Sequence, residues 1–346
     1  MSDRWYHQPG ENTDVITVSR VRLLRNFKDY LFPASISPEE RNRLFKTVDT
    51  KLKDLPGVVG SSLEKASSEQ IEPETKLAFQ ERMLINKATL ESGAPFMLYA
   101  SQDESFSMTV NGTDHLRLLL SCHGQDLKDL LEKMGQIDSY IAGKIPYAYD
   151  RRLGFKTSTL QNVGTGMRAY YVMHLPMLSE EQGFQRLQQE MGRYGVVIKE
   201  AWGLSDYEIG GLYVLYNQRT LGMKEEDIVD ILTSVAGRLI VQERNLRNSQ
   251  SSLALRDRIF RSYGILSYAA RLELPETCQM LSDLMLGVSL GLLKTEGNVD
   301  SYELMLGVFP GNLQVYYGKR FGGEEMKIRR AEYIKKFLKQ VIPVSS

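Results

Sequence analysis

Cysteine and histidine are scarce, and neither supports a disulfide framework or a zinc site. The 346 residues include two cysteines, Cys122 and Cys278, which are far apart and belong to no paired motif. We expect both thiols to be unpaired. No apolar run approaches the ~18 residues of a membrane-spanning helix, and the polar N-terminus lacks the apolar core of a signal peptide. These absences predict a cytoplasmic protein without a membrane segment.

Net charge is absent as well, since 43 basic residues balance 43 acidic ones. A broad nucleic-acid-binding surface needs a clustered basic excess, because its affinity comes largely from counterion release. The balance therefore argues against nucleic acid as a partner, and any anion site must be local. With 42% hydrophobic residues, the chain is long enough for two folded domains.

The residue pattern predicts an α+β fold with a mostly antiparallel sheet. Strands are predicted at residues 15–18, 96–100, 106–110, 169–175 and 211–216. Ser37 is predicted to cap a helix that begins at Pro38. Further helices are predicted at residues 127–141 and 180–194, and residues 55–74 are interpreted as loop with a little helix.

From residue 225 onward the pattern becomes almost wholly helical. The polar stretch 245–252 interrupts it, and we place a domain boundary there. Residues 1–247 are predicted to form the α+β domain. Residues 253–346 are predicted to form a C-terminal helical bundle.

Four arginines occur at spacings suited to a polyphosphate. Arg20 and Arg22 lie two residues apart on one predicted strand, so their side chains point to the same face. Arg117 and Arg168 would add donors from other strands. A guanidinium stays charged and binds phosphate oxygens through paired hydrogen bonds, whereas a single exposed arginine is usually an ordinary surface or ion-paired residue. Together the four arginines suggest a phosphate site.

Several motifs around these arginines occur in an order typical of one enzyme family. They occupy residues 19–26, 111–117, 162–169, 174–176, 217–222, 225–227, 257–266 and 281–291. The segments resemble the guanidino (phosphagen) kinases and, within them, the bacterial protein-arginine kinases. The resemblance covers nearly the full length. It implies a phosphagen-kinase-like antiparallel sheet flanked by helices, followed by a C-terminal helical domain for dimerisation and regulation.

The resemblance also implies a nucleotide, ATP or ADP, with Mg²⁺ bridging its phosphates. The implied phosphate ligands are Ser19, Arg20, Arg22, Arg117, Arg168 and Lys199. Lys199 stands where the family pattern has a fifth arginine, and it keeps the charge but loses the planar fork. Met83 replaces a histidine near the base, and Tyr170 replaces a small serine. The implied site therefore has charged phosphate ligands and an altered base pocket.

The acceptor side departs from the family pattern. A guanidinium, whose pKa lies far above neutral pH, needs carboxylates that align it and help remove a proton. Gly112 and Leu204 stand where the family has two glutamates, and Thr159 stands where it has a reactive cysteine. Each general acid or base contributes ~10²–10⁴-fold, so these losses predict impaired phosphotransfer.

Two functional interpretations stay open. In one, nearby carboxylates replace the lost pair, and the chain is an active protein-arginine kinase. The candidates are Glu208, Asp206 and Glu200, with Asp114 beside the first vacated position. In the other, these acids are ordinary loop residues, because a displaced carboxylate rarely recovers catalytic geometry. The chain then binds nucleotide and acts as a regulator or scaffold in protein quality control, which is the interpretation we favour.

The resemblance implies further contacts, for which the sequence keeps part of the motif. An Arg-Asp-x-x-Arg-Ala element of the family binds phosphoarginine as a regulatory ligand. Here Arg330 and Ala331 match that element, while Met326 and Lys327 replace its Arg-Asp pair. Loss of the acidic partner weakens the predicted regulatory site. The family also suggests protein substrates or partners, a homodimer, a zinc-containing activator protein and a Clp-type unfoldase.

Overall fold

An eight-stranded antiparallel sheet forms the centre of the molecule. The computed structural model describes residues 4–201, 210–249, 252–296 and 301–344. In chain order the strands are β1 (Ile16–Arg25), β2 (Leu63–Ser67), β3 (Met97–Ser101), β4 (Phe106–Val110), β5 (Leu116–His123), β6 (Tyr149–Asp150), β7 (Gly154–Phe155), β8 (Met167–His174), β9 (Val196–Glu200), β10 (Leu212–Asn217), β11 (Leu293–Thr295) and β12 (Val341–Pro343). The sheet has the order β2-β3-β4-β5-β1-β8-β10-β9, so β1 is a central strand. Strands β6 and β7 form a small hairpin, and β11 pairs with β12 in another two-stranded sheet.

Helices pack against both faces of this sheet. In chain order they are α1 (Pro38–Lys51), α2 (Leu55–Val59), α3 (Pro73–Glu81), α4 (Lys87–Glu91), α5 (Leu127–Lys144), α6 (Pro176–Glu180), α7 (Phe184–Met191), α8 (Glu225–Ser249), α9 (Leu253–Tyr268), α10 (Leu274–Ser289), α11 (Ser301–Gly307), α12 (Pro310–Tyr317) and α13 (Gly323–Leu338). The α1 helix begins as predicted, with the hydroxyl of Ser37 accepting a hydrogen bond from the N–H of Glu40 (3.2 Å). No helix within the described residues is long and apolar enough to cross a membrane.

The first hydrophobic core fills the space between one sheet face and helices α1, α5 and α8. Helix α5 shows why it packs there. Its buried positions, among them Leu130, Met134, Ile137 and Ile141, recur every three or four residues and form one apolar stripe. This stripe contacts β1 and β5, so α5 supports the central strand β1 on this face of the sheet.

A second core lies on the opposite face and joins the sheet to the C-terminal helices. Val18, Val172 and Leu212 come from β1, β8 and β10, and they pack with residues of α9 to α13. The N-terminal residues Trp5 and Tyr6 belong to the same core. The helical region therefore covers one end of the sheet face whose other end carries the arginines.

The predicted fold class is confirmed, although several local predictions were wrong. Residues 63–67, interpreted as loop, form the edge strand β2, and β9 was not predicted. Of the single helix predicted over residues 180–194, the structure has α7 and a short 3₁₀ turn, Gly192–Tyr194, while α6 already ends at Glu180. In the C-terminal region, the antiparallel pair of β11 and β12 and the short helices α11 and α12 were also missed. These elements are short, and their alternation or periodicity covers too few residues to stand out.

The division at residues 247 and 253 stays a prediction. Helix α8 continues to Ser249 and α9 begins at Leu253. The two sides share an interface, in which Glu81 of α3 accepts hydrogen bonds from the backbone N–H groups of Gly311 and Asn312 (2.8 Å each). A carboxylate at the start of α12 satisfies N–H groups that the helix itself leaves unpaired.

Candidate functional site

The four arginines come together because the register of the sheet places them on one face. Arg22 of β1 is the direct cross-strand partner of Arg168 of β8. Arg20 lies two residues before Arg22 and shares its face, and Arg117 comes from β5 on the other side of β1. With Lys199 of β9, the four arginines line one cavity of about 270 Å³. Cationic side chains from four strands therefore surround a single space.

Arg22 and Arg168 are like charges in directly opposed positions, where they repel each other. Arg22 donates from Nη2 to Asn162 Oδ1 (2.8 Å), but the Nε atoms of both arginines are buried without a hydrogen-bond partner among the described residues. Burial, together with the nearby Arg168 and Arg117 guanidinium groups, lowers the pKa of Arg22 to about 9. Unpaired donors and repelling cations make this part of the cavity suited to an anion.

Tyr216 holds two of the cations in place. Its ring centre lies 4.9 Å from the guanidinium carbon of Arg168 and 5.5 Å from Lys199 Nζ. Both distances allow cation–π attraction. Strand β10 lies between β8 and β9, so a side chain on its cavity face reaches both neighbours. Sequence reasoning missed Tyr216, although the alternation of Val214 and Tyr216 on β10 is the signal that could have indicated it.

Arg117 has a different environment from the other arginines. It donates from Nη1 to the carbonyl of Leu84 and from Nη2 to the carbonyl of Met83 (both 3.1 Å). Burial lowers its pKa, and Arg20 adds to the effect. Met83 has a positive φ of 69°, an unfavourable conformation for its side chain. Arg117 therefore stabilises the Met83–Leu84 turn at the edge of the cavity.

Ser19 and Arg20 are neighbours that point to opposite faces of β1. Arg20 borders the cavity, whereas the hydroxyl of Ser19 donates to the carbonyl of Gly124 (2.5 Å) and accepts from the N–H of Asp126 (3.0 Å). Ser19 is fully buried on the far side from the arginines. This placement does not support its predicted role as a phosphate ligand.

Two family models match the chain. The ATP:guanido phosphotransferase C-terminal catalytic domain matches residues 46–246, and the protein-arginine kinase McsB C-terminal domain matches residues 252–345. A protein-arginine kinase from Halalkalibacterium halodurans is 37% identical, over 97% of this chain and 95% of its own length. Another from Geobacillus stearothermophilus is 35% identical, over 97% of this chain and 93% of its own. The chain belongs to the bacterial protein-arginine kinase family.

Solved structures show the phosphagen-kinase fold of this protein-arginine kinase family member. Lombricine kinase superposes with a TM-score of 0.61 at 20% identity, over 70% of each chain. A duplicated taurocyamine kinase from Schistosoma mansoni gives a TM-score of 0.61 at 19% identity, over 74% of this chain and 39% of its own. The predicted resemblance and fold class are therefore both confirmed.

Gly112, predicted to stand at the first missing glutamate, lies in a closely packed turn. A Cβ atom on Gly112 would lie 2.6 Å from the hydroxyl oxygen of Thr89. Thr89 is buried in α4, and its hydroxyl is hydrogen-bonded to Asn86 Oδ1. The space beside Gly112 is thus occupied by Thr89, so a side chain longer than hydrogen requires a rearrangement.

Gly112→Ala is expected to lower the free energy of unfolding by about 1–3 kcal/mol, because the added methyl group overlaps Thr89. Thr89→Ala removes the overlapping oxygen, so the double variant should cost less than the sum of the single variants. Urea denaturation measures this coupling. Gly135→Ala in α5 is the matched control, since a Cβ there meets nothing within 4 Å. Additive costs at Gly112 and Thr89 would contradict the steric explanation.

The structure describes only some of the other predicted catalytic positions. Thr159, predicted to stand in place of the family cysteine, is exposed and does not line the cavity. Leu204, Asp206 and Glu208 lie outside the described residues. Their predicted roles therefore stay predictions.

Two candidate substitute carboxylates can be assessed from the structure. Glu200 borders the cavity, but it is the cross-strand partner of Tyr213, whose ring belongs to the first core. Strand alternation therefore directs the Glu200 side chain away from the face that carries Lys199. Asp114 is buried, and its Oδ1 accepts hydrogen bonds from Asn26 Nδ2 (2.6 Å) and the N–H of Ser158 (2.7 Å). Neither the Glu200 nor the Asp114 carboxylate is therefore placed to act in place of the glutamates that are predicted to be missing.

Arg330, the retained arginine of the regulatory element, is part of the second core region. Its Nε donates to the carbonyl of Val308 (2.9 Å) and its Nη1 to the carbonyl of Leu272 (2.8 Å). Ala331 is buried beside it, Met326 packs against the same core, and Lys327 pairs with Glu273 (2.6 Å). These contacts give Arg330 a structural role, and phosphoarginine binding stays a prediction.

Proposed function

We propose that this protein-arginine kinase family member binds ATP or ADP in the cationic cavity and that its phosphotransfer to arginine is impaired. The nucleotide part rests on one observation, the opposed pair of Arg22 and Arg168, whose Nε atoms have no hydrogen-bond partner in the part of the chain that the structure describes. Leaving a buried donor unsatisfied costs ~1–3 kcal/mol, and more for charged groups. Phosphate oxygens would supply acceptors for both guanidinium groups and reduce their mutual repulsion.

The rest of the cavity suits a nucleoside better than a free phosphate ion. Beside the cations it is lined by Val172, Val214, Ala201, Met83 and Tyr170. Ligand sites for organic molecules are mostly apolar with a few placed polar groups. Mg²⁺ would accompany the nucleotide through the phosphates, because it keeps most of its ligands as water and phosphate oxygen.

The impaired step follows from the acceptor side. A guanidinium must be aligned and deprotonated before it attacks phosphorus, and carboxylates do this in catalysis. Gly112 has no carboxylate. The Glu200 side chain points to the sheet face opposite Lys199, and Asp114 Oδ1 already accepts two hydrogen bonds. Preorganised cations alone bind the phosphates and stabilise charge, but they do not activate the acceptor.

Nucleotide binding without efficient transfer suits a regulator or scaffold in protein quality control. The relatives from Halalkalibacterium halodurans and Geobacillus stearothermophilus are protein-arginine kinases, that is, kinases that act on proteins. The homodimer, the zinc-containing activator and the Clp-type unfoldase stay predictions from the family resemblance, and the cytoplasmic location stays a prediction from the sequence. We propose that protein partners of this kind distinguish the nucleotide-bound form from the nucleotide-free form.

Arg168→Met is expected to weaken the binding of Mg–ADP by about 10–100-fold, because two or more charge-assisted hydrogen bonds are lost. It should leave the ligand-free protein as stable as the wild type or more stable, since it removes a repelling charge next to Arg22. Isothermal titration calorimetry gives the affinity, and thermal denaturation without ligand gives the stability.

Arg186→Met provides the control, because Arg186 lies on the surface with its side chain 84% exposed. It should change neither quantity. Absence of binding heat for the wild type at millimolar Mg–ADP would refute the nucleotide proposal. A large loss of ligand-free stability in Arg168→Met would instead assign that arginine a structural role.

A further inference from the structure

Arg20 lies where the sheet face passes from the C-terminal helices to the cavity. Along β1, alternate residues Val18, Arg20 and Arg22 share this face. Val18 is packed in the second core, whereas Arg22 lines the cavity. Arg20, between them, is 2% exposed and borders the cavity as well. It is therefore placed to contact both the C-terminal region and a bound ligand.

The guanidinium of Arg20 is held by groups from three parts of the chain. Its Nη2 donates to the hydroxyl of Tyr302 in α11 (2.9 Å), and its Nε donates to Ser121 Oγ of β5 (3.0 Å). The Trp5 ring centre lies 5.6 Å from the guanidinium carbon and 5.4 Å from the ring centre of Tyr302. Tyr302 is 2% exposed, so its contact with Arg20 is shielded from solvent.

These contacts leave part of the guanidinium available. Nη1 forms no hydrogen bond with another described residue, while Nη2 and Nε each use one donor. A free arginine side chain loses considerable rotamer freedom when it binds a ligand. In this protein that freedom is already restricted by Tyr302, Ser121 and Trp5. Binding of an anion to Arg20 therefore needs little further ordering.

We propose that Tyr302 is a positioning residue for the nucleotide site, so that the C-terminal helical region completes the phosphate cavity from outside the sheet. This inference rests on the proposed nucleotide binding. Its thermodynamic consequence is reciprocal: if docking of α11 strengthens nucleotide binding through Arg20, nucleotide binding stabilises docking of α11. The two regions are then coupled through the hydrogen bond between the Tyr302 hydroxyl and Arg20.

Tyr302→Phe tests this coupling, because it removes the hydroxyl and keeps the ring in the core. We expect the Kd for Mg–ADP, measured by calorimetry, to rise about 5–20-fold in this variant. In an Arg20→Met background the same substitution should leave the Kd unchanged, because its target is gone. A merely structural tyrosine would weaken binding in both backgrounds. Tyr333→Phe, another buried tyrosine of the second core, is the matched control and should bind like the wild type.

Hydrogen–deuterium exchange on the wild type gives a test without any substitution. Saturating Mg–ADP should slow amide exchange in α11 at least about 3-fold, as the reciprocal coupling requires. If the wild type binds Mg–ADP but exchange in α11 does not change, or if Tyr302→Phe binds as tightly as the wild type, the inference is overturned and the proposed function stands. If the wild type binds no Mg–ADP, both are overturned.

Discussion

Phosphotransfer to protein arginine is expected to be about 10⁴-fold slower than in a family member that carries both glutamates. Each missing general acid or base removes ~10²–10⁴-fold, and the two contributions overlap because they act on one guanidinium. Gly112 is predicted to stand in place of the first of these groups, and the described carboxylates Asp114 and Glu200 nearby are held elsewhere. The assay uses γ-labelled ATP and an arginine-rich protein, followed by quantification of acid-labile label.

The comparison needs a control that separates binding from chemistry. Arg168→Met should reduce any residual label through weaker binding, and saturating ATP should restore part of it. Turnover similar to that of an active relative, lost in Glu208→Gln, would show that a relocated carboxylate performs the reaction. That result would replace our proposal with the active-kinase interpretation.

Restoring the two carboxylates is more demanding than the sequence alone suggests. Gly112→Glu and Leu204→Glu would return the predicted missing groups, but the first new Cβ would lie 2.6 Å from the Thr89 hydroxyl oxygen. A restored site therefore needs Thr89→Ala in addition, so that the new side chain at residue 112 has room.

Strand alternation made part of the cavity predictable. The shared face of Arg20 and Arg22 follows from their spacing of two residues. The same rule places Ser19 on the opposite face, and applying it to the whole motif would have removed Ser19 from the predicted ligands. The family resemblance, rather than spacing, brought Arg117 and Arg168 into the same site.

Other features of the site depend on contacts that no local pattern carries. Arg168 faces Arg22 because of the register between β1 and β8, which the residues of one strand do not determine. Arg117 donates hydrogen bonds to two carbonyl groups, and Arg20 donates one to Tyr302. These contacts join segments that are far apart in the sequence. Such pairings are set by tertiary packing, so the sequence predicted which cations meet but not how each is held.

Glu243→Ala is expected to destabilise the protein by about 3–5 kcal/mol, because it breaks a buried ion pair. Glu243 is fully buried and accepts a hydrogen bond from Arg247 Nε (2.7 Å). It also accepts from the N–H of Leu178 (2.8 Å) at the start of α6. Its removal leaves Arg247 as a buried charge without its closest acid and leaves the helix start with an unpaired N–H. Urea denaturation measures the loss of stability.

The pair of Glu190 and Arg186 offers the opposite case, since both side chains are largely exposed. Glu190→Ala should therefore cost less than about 1 kcal/mol. Replacing both Glu243 and Arg247 by methionine should cost less than Glu243→Ala alone, because no uncompensated charge is then left in the interior. Arg247 also donates to the carbonyl of His174 (2.9 Å) and to Ser289 Oγ (3.1 Å), so the double variant tests whether charge or hydrogen bonding dominates. A double variant less stable than Glu243→Ala would show that these hydrogen bonds, rather than the buried charge, stabilise the junction between β8 and the C-terminal helices.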